Sequence, residues 1–484
     1  MIRLISIISL LILAQSVYSQ VIFQRSYGGE GNEYGRAVIE CSTGGYLVVG
    51  STNSYFNPST DVYLLRVDEN GDYIWGRNIG EANKIDWGID LVEDSEGNFF
   101  IAGHTDDSPT GTYDGLLIKT DSEGQVIWKK TFGGDDWDFI EGMALTNTDE
   151  IILAGSKTEN GMQKGWILKT DNNGEVLWEE VIESSSQLKI TGVDVCDDQS
   201  IVFIGYDSNS LLETKKFVAG TLDIDGGTQW ISVYPEFGKI ETGKCHCSDN
   251  FQFYSVGTLF NEDNTAYIHV NSLNYLNGAL EWSQNLEQPD GFGNGITQKS
   301  NGIVYFVGTI GSIGFNNTYS ANINSFAGDG DFAGVNQTAI QGGYGTDELF
   351  DIIATNDGGL AAVGQSNSFG NGYQVHLCKL DSLNNRNDEN TDFLDLATTI
   401  ISREGKETIK IFPNPAQDYI HVSSEESTNY TFKITGIDGK QFSNGTLKDQ
   451  PNGIDIRNLT SGLFILKLYE SGELKSISRF VKLP

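Results

Sequence analysis

Basic residues are in short supply: 31 Lys and Arg stand against 66 Asp and Glu, a formal net charge of −35. Nucleic-acid binding needs a basic face that neutralises phosphates, so that class of partner is not expected. Histidine is scarce too, with 5 in 484 residues, and none stands in a Ser/His/Asp arrangement or a His-Glu-x-x-His motif. Met (3) and Pro (8) are few, and no long apolar stripe follows the 3.6-residue period of a buried helix. Beyond the first residues no apolar run nears the ~20 residues that a membrane-spanning helix requires. Gly is abundant, at 57, which suits many tight turns between short strands. An all-β chain is the expectation.

The N-terminus has the three-part layout of a secretory signal peptide over residues 1–19. Arg3 supplies the charge, Leu4 to Ala14 the apolar run, and Val17 and Ser19 the small residues before Gln20. No Cys follows the run, so lipid attachment there is not expected. Five Cys are an odd number for an exported chain. Cys41 and Cys196 hold the same place in two copies of the repeat described next, and so are too far apart to pair with each other. Cys245-His246-Cys247 reads either as a metal fragment lacking its second half or, preferably, as a strand with two thiols on one face.

A glycine after an apolar strand recurs roughly every 50 residues, at Gly50, Gly103, Gly155, Gly205, Gly257, Gly308 and Gly364. Trp75, Trp128, Trp178, Trp230 and Trp282 mark a second recurring column. Turns of the form Asp-x-x-Gly precede most of these tryptophans: Asp68 to Gly71, Asp121 to Gly124, Asp171 to Gly174 and, more loosely, Asp223 to Gly226. Each copy holds four strand-like runs separated by turn residues. Seven copies of four strands predict a seven-bladed β-propeller over residues 20–381, since a single four-stranded sheet cannot bury both faces alone. Tryptophan is expected to pack where neighbouring blades meet.

Closure is also predicted. The seventh copy lacks a fourth strand and a Trp, while VIFQRSYGG from Val21 to Gly29 matches VIWKKTFGG from Val126 to Gly134. The N-terminal strand should therefore complete the last blade, with Phe23 in the place of Trp128. The sixth copy is degenerate at GDGDFAGVNQ. Residues 382–408 read as a polar linker, and 409–484 as a small β-sandwich of short alternating strands.

That last segment resembles the C-terminal sorting domain, type A, of cargo for the type IX secretion system of Bacteroidota. The resemblance rests on Phe412-Pro413-Asn414-Pro415, Gly439-Lys440, Leu459, Gly462-Leu463-Phe464 and the final strand ending Phe480-Val481-Lys482. It implies the secretion machinery as a partner, and removal of the domain as the cargo is released or attached to the outer cell surface. The repeats resemble propeller units of exported Bacteroidota proteins. Their Asp-x-x-Gly-x-x-x-Trp portion is also similar to the tryptophan-docking motif of quinoprotein propellers. Those enzymes usually have eight blades and a calcium-liganded cofactor site, and no residues here match that site.

Asp68 to Asp72 and Asp171 to Gly174 echo a calcium loop without its twelve-residue spacing, so calcium is a candidate and no other cofactor is expected. If strands run outward in the usual order, the loops of one face are short and uniform and those of the other vary. The variable loops carry Tyr55, Phe56, Asp86, Trp87, His104, Asp106, Asp107, Asp135, Asp136, Trp137 and Asp138. Aromatic rings beside carboxylates suit carbohydrate or protein recognition, with Asp86, Trp87, His104, Asp136, Trp137 and Asp138 the candidate residues. The sequence thus reads as a monomeric, exported, non-catalytic binding or adhesion module, with a secreted glycan-active enzyme as the alternative.

Overall fold

The computed structural model describes residues 22–395 and 410–482, apart from 30, 55–58, 82, 108–110, 210–213, 235–238, 249, 287, 312–318, 332–337, 340–344, 369–371, 386–390, 413–418, 424–429, 437–440, 448–452, 460–461 and 471–472. The expected signal peptide, Tyr55 and Phe56, and the sorting-motif residues Pro413, Asn414, Pro415, Gly439 and Lys440 lie outside the described residues.

Strands account for the regular structure, as the alternating sequence requires. Seven sheets follow one another along the chain. Their first strands are Glu33–Glu40, Asp86–Glu93, Phe139–Leu145, Gln187–Val195, Lys239–Cys247, Gly291–Gln298 and Asp347–Ala354, and these define sheets one to seven. The first six have four antiparallel strands in sequence order. Third strands such as Asp61–Val67 and Asp114–Thr120 are buried throughout, which explains their near-continuous apolar runs. Fourth strands such as Val126–Phe132 are partly exposed and carry polar residues. Among the described residues, the fourth strand of the degenerate sixth copy is Thr338–Ala339.

No sheet could hide both faces alone, and the core accordingly lies between sheets. One buried cluster joins Val49 and Leu64 of sheet one to Leu91 and Ile101 of sheet two. Equivalent clusters join two to three, three to four, four to five, five to six and six to seven. A further cluster joins sheet seven to sheet one through Val363, Val375, Val38, Tyr63 and Phe23.

The Trp column sits at these junctions. A Cβ on Gly124 of sheet two would stand 2.7 Å from the Trp75 ring of sheet one, and the same holds for Gly174 against Trp128 and Gly330 against Trp282. Indole N–H groups donate across as well, Trp178 to the Ile224 carbonyl at 3.1 Å and Trp230 to that of Tyr275 at 2.7 Å. Turn geometry makes the flat glycine surface possible, because Gly124 has φ +73° and a side chain there would be strained.

The N-terminal strand Phe23–Gly28 pairs antiparallel with Gln374–Leu380, matching Phe23 to Lys379 and Tyr27 to Val375. Phe23 lies against Gly71 of sheet one as each Trp lies against the next turn, and the Tyr27 hydroxyl donates to the Gly71 carbonyl at 2.6 Å. The stretch expected as a linker is not wholly irregular. Thr391–Asp395 adds a fifth strand, parallel to Phe23–Gly28, because the orphan strand offers a second free edge.

A disulfide joins Cys196, just after the first strand of sheet four, to Cys247 at the end of the first strand of sheet five, with Cα atoms 5.3 Å apart. This corrects the reading of Cys245 and Cys247 as two thiols. Cys245 is free and buried, as are Cys41 and Cys378. Cys247, being bonded to Cys196, is not a free thiol, and His246 lies 3.4 Å from Asp194.

The C-terminal segment forms a three-stranded sheet and a four-stranded sheet. They share a core of Ile420, Tyr430, Phe432, Ile434, Ile454, Phe464, Leu466 and neighbours. Gly462 opens the long strand Gly462–Glu470, whose register pairs Gly462 with Lys482 and Phe464 with Phe480.

Candidate functional site

Every first strand carries the same irregularity. Its register against the second strand skips one residue, for example between Gly35 and Ala37 and between Ile140 and Gly142. Such a bulge leaves one residue unpaired and re-aims its side chain. The skipped residues are Arg36, Ile89, Glu141, Thr191, Asn294 and Phe350, and in sheet five the pair Gly243–Lys244. The recurring glycine is the other half of this device. A Cβ on Gly50 would fall 1.6 Å from the Tyr34 carbonyl oxygen, and one on Gly103 1.8 Å from that of Trp87. Only glycine permits the approach that the bulge imposes.

The bulged residues Glu141, Thr191, Gly243, Lys244, Asn294 and Phe350 line a cavity of about 230 Å³, together with Lys189, Tyr206, Glu241 and Thr242. Its charges are mostly matched. Lys189 pairs with Glu141 at 2.7 Å, and Lys244 reaches Asp90 of sheet two at 3.2 Å and Asp351 of sheet seven at 3.1 Å. Burial works against the Lys244 charge, but the Asp351 and Asp90 carboxylates outweigh it and hold the ammonium above its ordinary range. Arg36 stacks on Phe350, its guanidinium carbon 4.4 Å from the ring centroid.

Beside the cavity the structure brings together three of the residues singled out in the sequence. Trp87 and His104 face each other in register, with ring centroids 6.3 Å apart. His104 meets Phe139 at 5.2 Å and Tyr113 at 5.6 Å, and Trp137 lies 5.2 Å from Tyr113 and 6.1 Å from Phe139. Trp137 is 49% exposed, so this five-ring patch presents an indole to solvent. Burial lowers the His104 pKa, with Glu141 opposing it and Lys189 and Arg36 reinforcing it. The imidazole is therefore neutral at pH 7, and it feels the charges of the cavity.

The candidate carboxylates behave differently from one another. Asp138 is 0% exposed and accepts from the backbone N–H of Gly134 at 2.7 Å and of Thr158 at 2.8 Å. It shapes the loop rather than meeting a ligand. Asp86, 1% exposed, lies 3.5 Å from Lys129 at the junction of sheets one and two. Asp136 is half-buried, and among the described residues it makes no hydrogen bond or ion pair. The Asp68 and Asp171 carboxylates accept from backbone N–H groups of their own turns, at 2.8 Å in each case, which accounts locally for their likeness to a calcium loop. Sequence reasoning missed the cavity residues. In every copy a bulged residue stands fourteen positions ahead of the recurring glycine, Gly243 in the fifth with Lys244 next to it, a column of mixed polarity that could have shown them.

Fold and site together define an all-β protein of repeated four-stranded sheets, with an aromatic patch and a polar cavity built on first-strand bulges. The C-terminal segment is of a known kind: residues 410–482 match the family described as the secretion system C-terminal sorting domain. That tail implies export by the type IX machinery. No curated protein matches the chain. Among solved structures, the Pan2 WD40 domain of Neurospora crassa is similar at 10% identity and TM-score 0.45, covering 75% of this chain and 92% of that one. Hydrazine synthase of Kuenenia stuttgartiensis is similar at 12% identity and TM-score 0.46, covering 75% and 98%. A Dyadobacter fermentans protein of unknown function is similar at 9% identity and TM-score 0.44, covering 74% and 97%. At these values they bear on no activity. No helix long and apolar enough to cross a membrane occurs among the described residues.

Proposed function

We propose that the repeat region, residues 20–381, is a seven-bladed β-propeller closed by its N-terminal strand, made by a member of the Bacteroidota. Its role is that of an exported, non-catalytic module that binds carbohydrate or protein at its variable face. Closure is supported by the cluster joining sheet seven to sheet one, by Phe23 against Gly71, and by the Asn356 N–H donating to Glu40 at 2.7 Å across the same junction. Signal peptide 1–19 and sorting domain 409–484 are removed, and the mature chain is released or held on the outer cell surface.

The observation that carries the binding role is the exposed Trp137 on its bed of Tyr113 and Phe139. An indole held rigidly by other rings offers contact area at little cost in ordering, which suits stacking on a sugar or an apolar side chain. Asp136, unspent and adjacent, supplies an acceptor. The enzymatic alternative needs a pair of working carboxyls, and Asp138 is already committed to backbone donors.

A glycan and protein binding screen on the full chain, repeated with Trp137→Ala, tests this. The expected result is a ligand whose affinity falls about tenfold or more in the variant, the equivalent of ~1.4 kcal/mol. Turnover of a glycan that is lost in Asp136→Asn would instead establish the enzyme.

A further inference from the structure

The turn between the first and second strands places one residue at a positive φ in every sheet. That residue is Gly44, Gly97, Gly302 or Gly358 in four sheets, and Asp149 or Gln199 in two more. In sheet five it is Phe251, at φ +57°. A bulky side chain is strained in this conformation, which glycine adopts freely. Burial does not offset the strain, because Phe251 is 52% exposed. The turn between the third and fourth strands of sheet five departs from its counterparts too. The residue whose N–H bonds to the leading side chain of that turn is Asn70, Glu123, Asn173 and Asp225 in sheets one to four. In sheet five it is Leu276, 56% exposed. Tyr275 joins the two turns: its ring lies 5.8 Å from that of Phe251, and its N–H donates to the Phe251 carbonyl at 2.9 Å. The Tyr275 hydroxyl donates to Asp198 at 3.2 Å, in a turn of sheet four where Asp197 and Asp198 are both exposed. The Cys196–Cys247 disulfide fixes these turns side by side, since Cys196 directly precedes Asp197 and Cys247 stands four residues before Phe251.

We infer that Phe251, Leu276 and the Asp197–Asp198 pair form a docking surface for a protein segment that sets an aliphatic side chain on the two apolar residues and an arginine against the carboxylates. A guanidinium both pairs with carboxylates and stacks on an aromatic face, so it fits a ring beside two acids. The net charge of −35 steers a basic partner in and disfavours both a second copy of this chain and an anionic lipid surface. The disulfide and Tyr275 hold the surface ready, which lowers the cost of ordering it on binding. This surface is separate from the Trp137 patch and does not depend on what that patch binds. Trp137 precedes a first strand and Phe251 follows one, so they lie at opposite strand ends.

Fluorescence anisotropy of a labelled peptide of alternating Leu and Arg, titrated with the full chain, provides the test, with Leu–Glu and Ser–Arg peptides of equal length as controls. Saturable binding of the Leu–Arg peptide is expected, about tenfold or more tighter than either control. Phe251→Gly and Leu276→Asn should each weaken it about tenfold, and Trp137→Ala should leave it unchanged. Phe251→Gly should melt no lower than the wild type, because glycine relieves the strained φ, and this separates lost binding from lost folding. Absence of saturable Leu–Arg binding, equal affinity for the Ser–Arg peptide, or equal binding by Phe251→Gly each overturns the inference. A lower melting temperature for Phe251→Gly would make the ring a structural element and overturn it as well. Self-association of the wild type that Phe251→Gly abolishes, read by sedimentation, would assign the surface to a second copy and not to a basic partner.

Discussion

At the scale of single residues, the most informative group is Asp61, which opens the third strand of sheet one beside Asp86 of sheet two. Burial pushes its carboxyl up to about 7, Asp86 adds to the shift, and Lys129 opposes it. An Asp in the unfolded chain titrates near ~3.9. Between about pH 4 and 7 the folded protein therefore holds a proton at Asp61 that the unfolded chain has released. Stability contributed by this proton is present below that window and is lost as pH rises through it, levelling off above about 7. Asp61→Asn keeps the shape and removes the titration. Urea denaturation of both proteins from pH 4 to 8 should show the wild type losing stability relative to the variant across the window. A constant difference between the two at every pH would refute the assignment. Groups such as Asp357, whose carboxyl is held low through hydrogen bonds from Thr355 and Lys379 despite burial, push the other way, which is why the difference and not the raw slope is the measure.

At the scale of elements, the bulge and its glycine act as one unit. Gly103→Ala would drive a Cβ to within 1.8 Å of the Trp87 carbonyl oxygen, and backbone cannot step aside as a flexible side chain can. A loss of about 1–3 kcal/mol is expected by chemical denaturation. Gly302→Asn should change stability by no more than ~0.5 kcal/mol, since nothing lies within 4 Å and Asn tolerates the positive φ of +79°. A neutral Gly103→Ala would mean that the bulge is not obligatory. This unit also shows how far the sequence could be read. Gly103 and Trp128 were visible as recurring columns, and Val21 to Gly29 as a displaced copy, because identical local physics repeats in each sheet. Why the glycine recurs was not visible, since the carbonyl it must admit belongs to another strand. The Cys196–Cys247 bond was hidden for a related reason: its two ends come from neighbouring copies at positions that do not correspond. His104 and Trp137 were legible as aromatic residues in variable loops, whereas Asp138 looked the same as Asp136 until the structure showed which one the backbone had claimed.

At the scale of the whole molecule, the two parts of the chain have separate sources of stability. The seven sheets bury their cores against one another, and the N-terminal strand is held on both edges, by Gln374–Leu380 and by Thr391–Asp395. The sorting segment has a core of its own, and the cluster of Ile420, Phe432, Ile434 and Leu466 includes no residue of the seven sheets. Stability and address should therefore be separable. Deleting residues 409–484 keeps Thr391–Asp395 in place, so the remaining chain should fold and melt within a degree or two of the same region in the full protein. Export should not survive, because the sorting domain is what the secretion machinery reads. Fractionation of cells expressing both forms is expected to find the full chain outside the cell or on its surface and the truncated chain retained within the envelope. Undiminished secretion of the truncated form would remove the role given to the tail. A large fall in its melting temperature would show that the tail supports the sheets, against the division of cores seen here.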